Sequence, residues 1–196
     1  MGPFPLDKEA AVETLTGLWL PIVVSAVLVF VASSLVWTVL GADKWHVRRL
    51  ADEEAVREAL LKQAVAPGLY SIPYASDRER KEPAVREKLE KGPVAVLTIR
   101  RPGLPNMGVF LGGWFLYLLA VSYVAAFVCG QTLHRGAPYG RIFRVAGAVA
   151  FAGYSLAQVP NAIWWGRPWR SALKEAADGV VYALLTAGTF GWLWPD

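Results

Sequence analysis

The sequence predicts an all-α polytopic membrane protein, with four transmembrane helices and a small α/β module between the first and second. Three observations carry that prediction. Hydrophobic residues make up 55% of the 196 and charged residues 18%, and the mean hydropathy is +0.34. Such values are high for a soluble protein and ordinary for a membrane protein with a polar loop. The charge is also confined: the stretch from Gly41 to Met107 holds thirteen of the twenty Lys and Arg and ten of the sixteen Asp and Glu. Finally there are nine tryptophans, and an indole, half apolar with one N–H, favours the headgroup level.

Residues 1–17 form a short, mildly acidic tail. It lacks the Ser or Thr of an N-myristoylation signal and the basic flank of a secretory signal. Glu9 to Thr16 is expected to form a turn or two of interfacial helix. The first predicted span, residues 18–40, carries no charge. At 1.5 Å per residue it covers about 34 Å, against roughly 30 Å of hydrocarbon. Pro21 falls in its first turn, where a missing N–H costs least, and Trp19 and Trp37 mark its ends.

The module, residues 41–106, reads α-β-α-β. Asp52 caps a helix running to about Val65, with Val56, Leu60, Leu61 and Ala64 at helical spacing. Ala66-Pro67-Gly68 stops it. Leu69 to Tyr74 reads as an edge strand because of Pro73. Asp77 to Glu82 is a charged loop, and Pro83 starts a second helix that Gly92 ends. Val94 to Ile99 is β-branched and reads as the second strand. Two strands and two short helices bury little by themselves, so the module is expected to rest on the membrane face of the helices or on a partner.

The second span is predicted at residues 107–129, with Gly108 and Gly112 forming a GxxxG that permits close helix contact. The third is predicted at 142–165 and the fourth at 173–194. Ala146, Ala150, Gly153 and Ala157 in the third, and Ala183, Ala187 and Gly191 in the fourth, make smooth faces for an antiparallel hairpin. No internal repeat is present.

Four spans put both termini on one side, with Lys8, Arg135, Arg141 and Arg144. The other side carries sixteen basic residues, the thirteen of the large loop with Arg167, Arg170 and Lys174. Retention of Lys and Arg in the cytoplasm then places the module there and both termini outside. The same retention accounts for the net charge of +4 without a nucleic-acid partner.

The polar groups that stand out are few. His46 and His134 fall on opposite faces in this topology, so they share no metal. Cys129 is a lone cysteine at the end of a span, of the kind that behaves as a small hydrophobe. Asp178 in the fourth span is expected at the depth of Pro160 and Asn161, with Gln158 and Tyr182 about one turn deeper. Pro160 cannot donate to the carbonyl of Leu156, which frees that acceptor near a broken helix. Two readings of this cluster stand side by side. It handles a solute or proton, as intramembrane ionisable groups often do, or it ties helices together, with Asp178 pairing to Lys174. Trp45, Arg48, Arg49, Arg100 and Arg101 are placed to contact anionic lipid headgroups. There is no Gly-rich phosphate loop, GxSxG, HExxH or Asp-rich metal motif, so no enzyme, cofactor or metal is expected.

The segments LADEEAV (50–56), APGLYSIPY (66–74), KGPVAVLT (91–98), PNMG (105–108), WGRPW (165–169) and DGVVYALLTAGTFGWLWP (178–195) resemble a family of small bacterial four-span membrane proteins. The likeness covers most of the chain after Leu18. It implies a bacterial inner membrane and brings no activity, cofactor or functional residue with it. The expectation is therefore a non-enzymatic accessory, assembly or scaffold subunit in the lipid bilayer, with a protein partner or a second copy of itself. The alternative is an oligomeric small-solute or proton transporter or channel built on the Asp178/Asn161 region.

Overall fold

The computed structural model describes residues 17–39 and 48–196. In chain order the elements are α1 (Trp19–Val39), α2 (Glu53–Lys62), β1 (Gly68–Ile72), a 3₁₀ turn (Glu79–Lys81), α3 (Pro83–Lys91), β2 (Ala95–Ile99), α4 (Met107–Thr132), α5 (Tyr139–Tyr154), a second 3₁₀ turn (Leu156–Gln158), α6 (Val159–Trp165) and α7 (Trp169–Trp192). The chain divides into a helical unit, Met1–Val47 with Asn106–Asp196, and a module, Arg48–Pro105.

In the helical unit, α1, α4 and the segment Tyr139–Trp165 are long and apolar enough to cross a membrane, with mean hydropathies of 2.4, 1.9 and 1.4. α7 is 24 residues long but carries Arg170, Lys174, Glu175 and Asp178 in its first ten. It starts four residues before the expected Leu173, because Pro168 at its N-cap opens the helix there. The core runs in two layers. Leu18, Ile22, Ala126, Cys129, Ile142 and Phe190 fill one. Ala26, Val29, Leu118, Ala150, Tyr154 and Ala183 fill the other. The start of α1, the end of α4, the start of α5 and the end of α7 meet in the first layer, so these four helices alternate in direction. Outward faces are apolar: Leu35, Val39 and Leu116 are all more than half exposed.

Small residues set the distances. Ala146, Ala150, Ala183 and Ala187 are buried, as the hairpin reading requires, and Gly147 packs on Ala187. The tightest approach to backbone is at Gly179, where an added Cβ would lie 2.6 Å from the carbonyl carbon and oxygen of Tyr154 and 2.8 Å from the Ser155 nitrogen. Two expectations fail. Gly153 faces Val121 of α4 rather than α7, and Ala157 is exposed, because the helix breaks at Ser155 and turns its continuation. Gly112 has nothing within 4 Å, and Gly108 meets only the Asn106 side chain. The GxxxG brings no helix close, because it lies at the exposed start of α4.

The module follows its sequence closely. Ala55 donates its backbone N–H to Asp52 Oδ1 at 3.0 Å, capping α2. The helix ends at Lys62, three residues before the expected Val65, since Ala64 adopts a positive φ of 48°. β1 and β2 pair antiparallel, with Tyr70 opposite Leu97. Ser76 and Glu79 bond reciprocally: the Ser76 N–H and hydroxyl both donate to Glu79 Oε2, and the Glu79 N–H donates back to Ser76 Oγ. Those bonds hold the Glu79 carboxyl below its ordinary range and make a turn of what reads as a loop. α2, α3 and β1 contain no buried residue.

Gly179→Ala is expected to destabilise the helical unit by about 1–3 kcal/mol, because the colliding atoms are backbone and cannot rotate away. Gly112→Ala, in open space, should be neutral or slightly stabilising. Thermal unfolding of both variants in detergent micelles checks the pair, and equal midpoints would contradict the close approach.

Candidate functional site: an aromatic-lined cavity at the helix break

α5 stops at Tyr154, and its continuation is re-formed by two devices. Gly153, left with an orphan carbonyl, accepts the Tyr117 hydroxyl at 2.8 Å. The Ser155 hydroxyl donates to the carbonyl of Ala176 on α7. The Leu156 carbonyl, expected to be free, accepts the Val159 N–H instead. The 3₁₀ turn closes an i→i+3 bond and so uses the acceptor that Pro160 cannot reach.

The break opens a cavity of about 160 Å³. Among the described residues its lining comes from the end of α1 (Trp37), the start of α4 (Trp114, Tyr117), the break (Tyr154, Gln158) and the first half of α7 (Glu175, Asp178, Tyr182). Asp178, Gln158 and Tyr182 therefore come together as the sequence suggests. Asn161 does not line the cavity; its backbone carbonyl accepts the N–H groups of Gly166 and Arg167 and closes the turn after α6. The reason is rotational. Each 3₁₀ residue advances about 120° against 100° in an α-helix, so three of them turn α6 by about 60° from the register of an unbroken helix.

The rings lock to one another and to their helices. Trp114 and Tyr117 stack with centroids 5.6 Å apart. Tyr182 stands edge-on to Trp114 at 6.5 Å and to Tyr154 at 6.0 Å. Trp114 donates its indole N–H to Ser33 Oγ at 2.9 Å, joining α4 to α1. The Tyr154 hydroxyl is buried beside the hydroxyls of Ser122 and Thr186. Deeper in the unit, Ser25 donates to Ser122 across the interface of α1 and α4 at 3.0 Å.

Both acids are paired. Asp178 Oδ2 accepts from Lys174 one turn earlier. Glu175 takes Arg167 in a bidentate pair, at 2.6 and 3.1 Å, across the turn between α6 and α7. Planar two-point pairing of this kind adds geometric as well as electrostatic definition. Glu175 was absent from the sequence reading, though it lies three residues before Asp178 and so on the same helical face. Trp114 and Tyr117 carry the same i, i+3 signature at the start of α4. Nothing local in the sequence points to Tyr154.

The remaining expected residues lie elsewhere. Trp45 and His46 fall outside the described residues, as does the interfacial turn expected at residues 9–16. Arg48, Arg49, Arg100 and Arg101 are exposed, and Arg49 pairs with Glu53 at 3.6 Å. Their neighbours Leu50 and Ile99 line a groove of about 400 Å³ in the module, with Val56, Leu60, Leu61, Ala64 and Val65. Cys129 is fully buried, and the carbonyl of His134 accepts the Trp194 indole N–H. No family model, curated protein or solved structure matches the chain.

Lys174→Met is expected to lower stability by roughly 1–3 kcal/mol, since it leaves the half-buried Asp178 without its counter-charge. Adding Asp178→Asn should recover most of the loss. Thermal or denaturant unfolding of the two single variants and the double variant measures the coupling, and strict additivity would exclude a structural pair.

Proposed function

We propose that this chain is a four-span protein of the bacterial inner membrane, acting as a non-enzymatic accessory, assembly or scaffold subunit that presents its cytoplasmic module to a protein partner. The observation that carries this reading is the module's apolar surface. Leu61, Leu69, Ile72, Val94 and Val96 are exposed, and the groove beside α2 is bounded mainly by aliphatic side chains. An exposed apolar groove rimmed by charge, here Glu53 and Arg57, is the mark of a docking face. A module that buries so little gains its stability from what covers it.

Two further points support the fourth crossing and its direction. α7, at 24 residues, spans about 36 Å, and its acids are paired within the first ten residues of the helix. The basic majority on the module's side supports the direction, as retention of Lys and Arg demands. The resemblance to small bacterial four-span proteins agrees with both.

Labelling of single cysteines in a Cys129→Ser background tests the topology. Ser76→Cys is expected to react only with reagents that enter the cytoplasm, and reaction with an impermeant reagent in intact cells would reverse the assignment. Native mass spectrometry of the protein from its own membranes tests the function. A reproducible larger partner is expected, and it should be lost from Leu61→Glu, which places charge in the groove.

A second reading is favoured by the cavity: an oligomeric small-solute or proton transporter or channel. An acid, an amide and aromatic hydroxyls around one cavity at a helix break are the parts such a protein needs. Four spans are few for a solitary transporter, so this reading requires a homo-oligomer without a partner.

A further inference from the structure

We propose that the cavity at the helix break binds a small organic ammonium group, carried by a free amine or by an ammonium-bearing lipid headgroup. The proposal rests on the second reading above, that the cavity takes up a solute, and adds the charge and class of that solute.

The first argument is the wall. Five of the eight lining residues are Trp or Tyr. Trp114 lies nearly parallel to Tyr117, while Tyr182 and Tyr154 meet their neighbours edge-on. Rings set at steep angles around one space turn more than one π face or edge toward its contents. A cation within about 6 Å of a ring centroid is drawn to the face, most strongly where water is excluded.

The second argument is the sign of the charge. Glu175 and Asp178 line the cavity, and the bases that pair with them, Arg167 and Lys174, are not among its described lining residues. The lining thus includes both carboxylates but neither of their counter-charges. Lys174 occupies Asp178 Oδ2, which demonstrates that this carboxylate accepts an ammonium in the folded protein. Oδ1 has no hydrogen-bond partner among the described residues. An anion would face two carboxylates. A neutral apolar solute would remove water from them without replacing its hydrogen bonds.

The third argument is size. A volume of about 160 Å³ corresponds to roughly five waters at about 30 Å³ each. That suits an ammonium bearing a few methyl groups and excludes a nucleotide or a sugar chain. Gln158 supplies an amide for a hydroxyl or N–H on the same ligand.

The test is equilibrium binding of choline to the full-length protein in maltoside micelles, followed by calorimetry and tryptophan fluorescence. The neutral isostere 3,3-dimethyl-1-butanol is titrated in parallel. Choline is expected to saturate the protein, with the isostere at least about tenfold weaker. Asp178→Asn should weaken choline by about tenfold or more. Lys174→Gln removes the resident ammonium and should tighten choline severalfold. That variant decides the matter if Asp178→Asn fails to fold, and unchanged or weaker binding by folded Lys174→Gln overturns the proposal. Equal affinity for choline and the isostere overturns the ammonium assignment and leaves the solute reading standing. Absence of saturable binding by either compound overturns both. Repeating the titration in nanodiscs separates the two sources. Lost choline binding in phosphatidylcholine but not phosphatidylglycerol discs supports a headgroup ligand, and equal binding in both supports a free amine.

Discussion

The helical unit depends on one backbone contact. At Gly179 the chain of α7 lies against the peptide between Tyr154 and Ser155, and the Ser155 hydroxyl bonds to α7 at Ala176. Nothing larger than hydrogen fits at position 179, so the contact fixes the spacing of α5 and α7 and the depth at which α5 ends. The 3₁₀ turn, the rotation of α6 and the opening of the cavity all follow. Close packing makes such a point unforgiving, because neighbouring atoms have nowhere to move.

The two units are stabilised by different physics. The helical unit buries alanines, glycines and a few large side chains in continuous layers, with hydroxyl pairs such as Ser25 and Ser122 bridging helices. In an apolar surrounding, small-residue packing and interhelical hydrogen bonds are what remain to drive association. The module relies on local devices: the Asp52 cap, the Ser76–Glu79 reciprocal turn and a two-stranded ladder. Such devices fix local shape but bury little, which is why its apolar side chains stay available.

Much of this was legible in the sequence. Uncharged runs located α1 and α4 to within a few residues, and Asp52, Pro83 and Gly92 announced the ends of the module's helices. Those signals are local and act through the backbone of their own segment. The site was legible only in part. Gln158, Asp178 and Tyr182 converge because hairpin depth can be counted from a turn. Asn161 was misplaced because counting assumes an unbroken helix, and the helix breaks at Ser155, which bonds to α7. Tyr154 joins the cavity through tertiary geometry, which no window of sequence contains. The GxxxG at Gly108 misled for the converse reason: a motif permits an approach that the neighbours must still make.

The pairing of Asp178 with Lys174 has a consequence for how such a chain is built. The two side chains sit one turn apart on a single helix, so the acid carries its counter-ion with it and needs no neighbour to be neutralised. A helix that entered a low-dielectric medium with a bare carboxylate would wait on a partner, at a cost of several kcal/mol in the interval. α7 brings a neutral pair instead. Glu175 differs, because Arg167 lies beyond the start of the helix and reaches it only when the turn after α6 has closed. The order of charge neutralisation is thus written into the spacing: Asp178 on helix formation, Glu175 on hairpin closure.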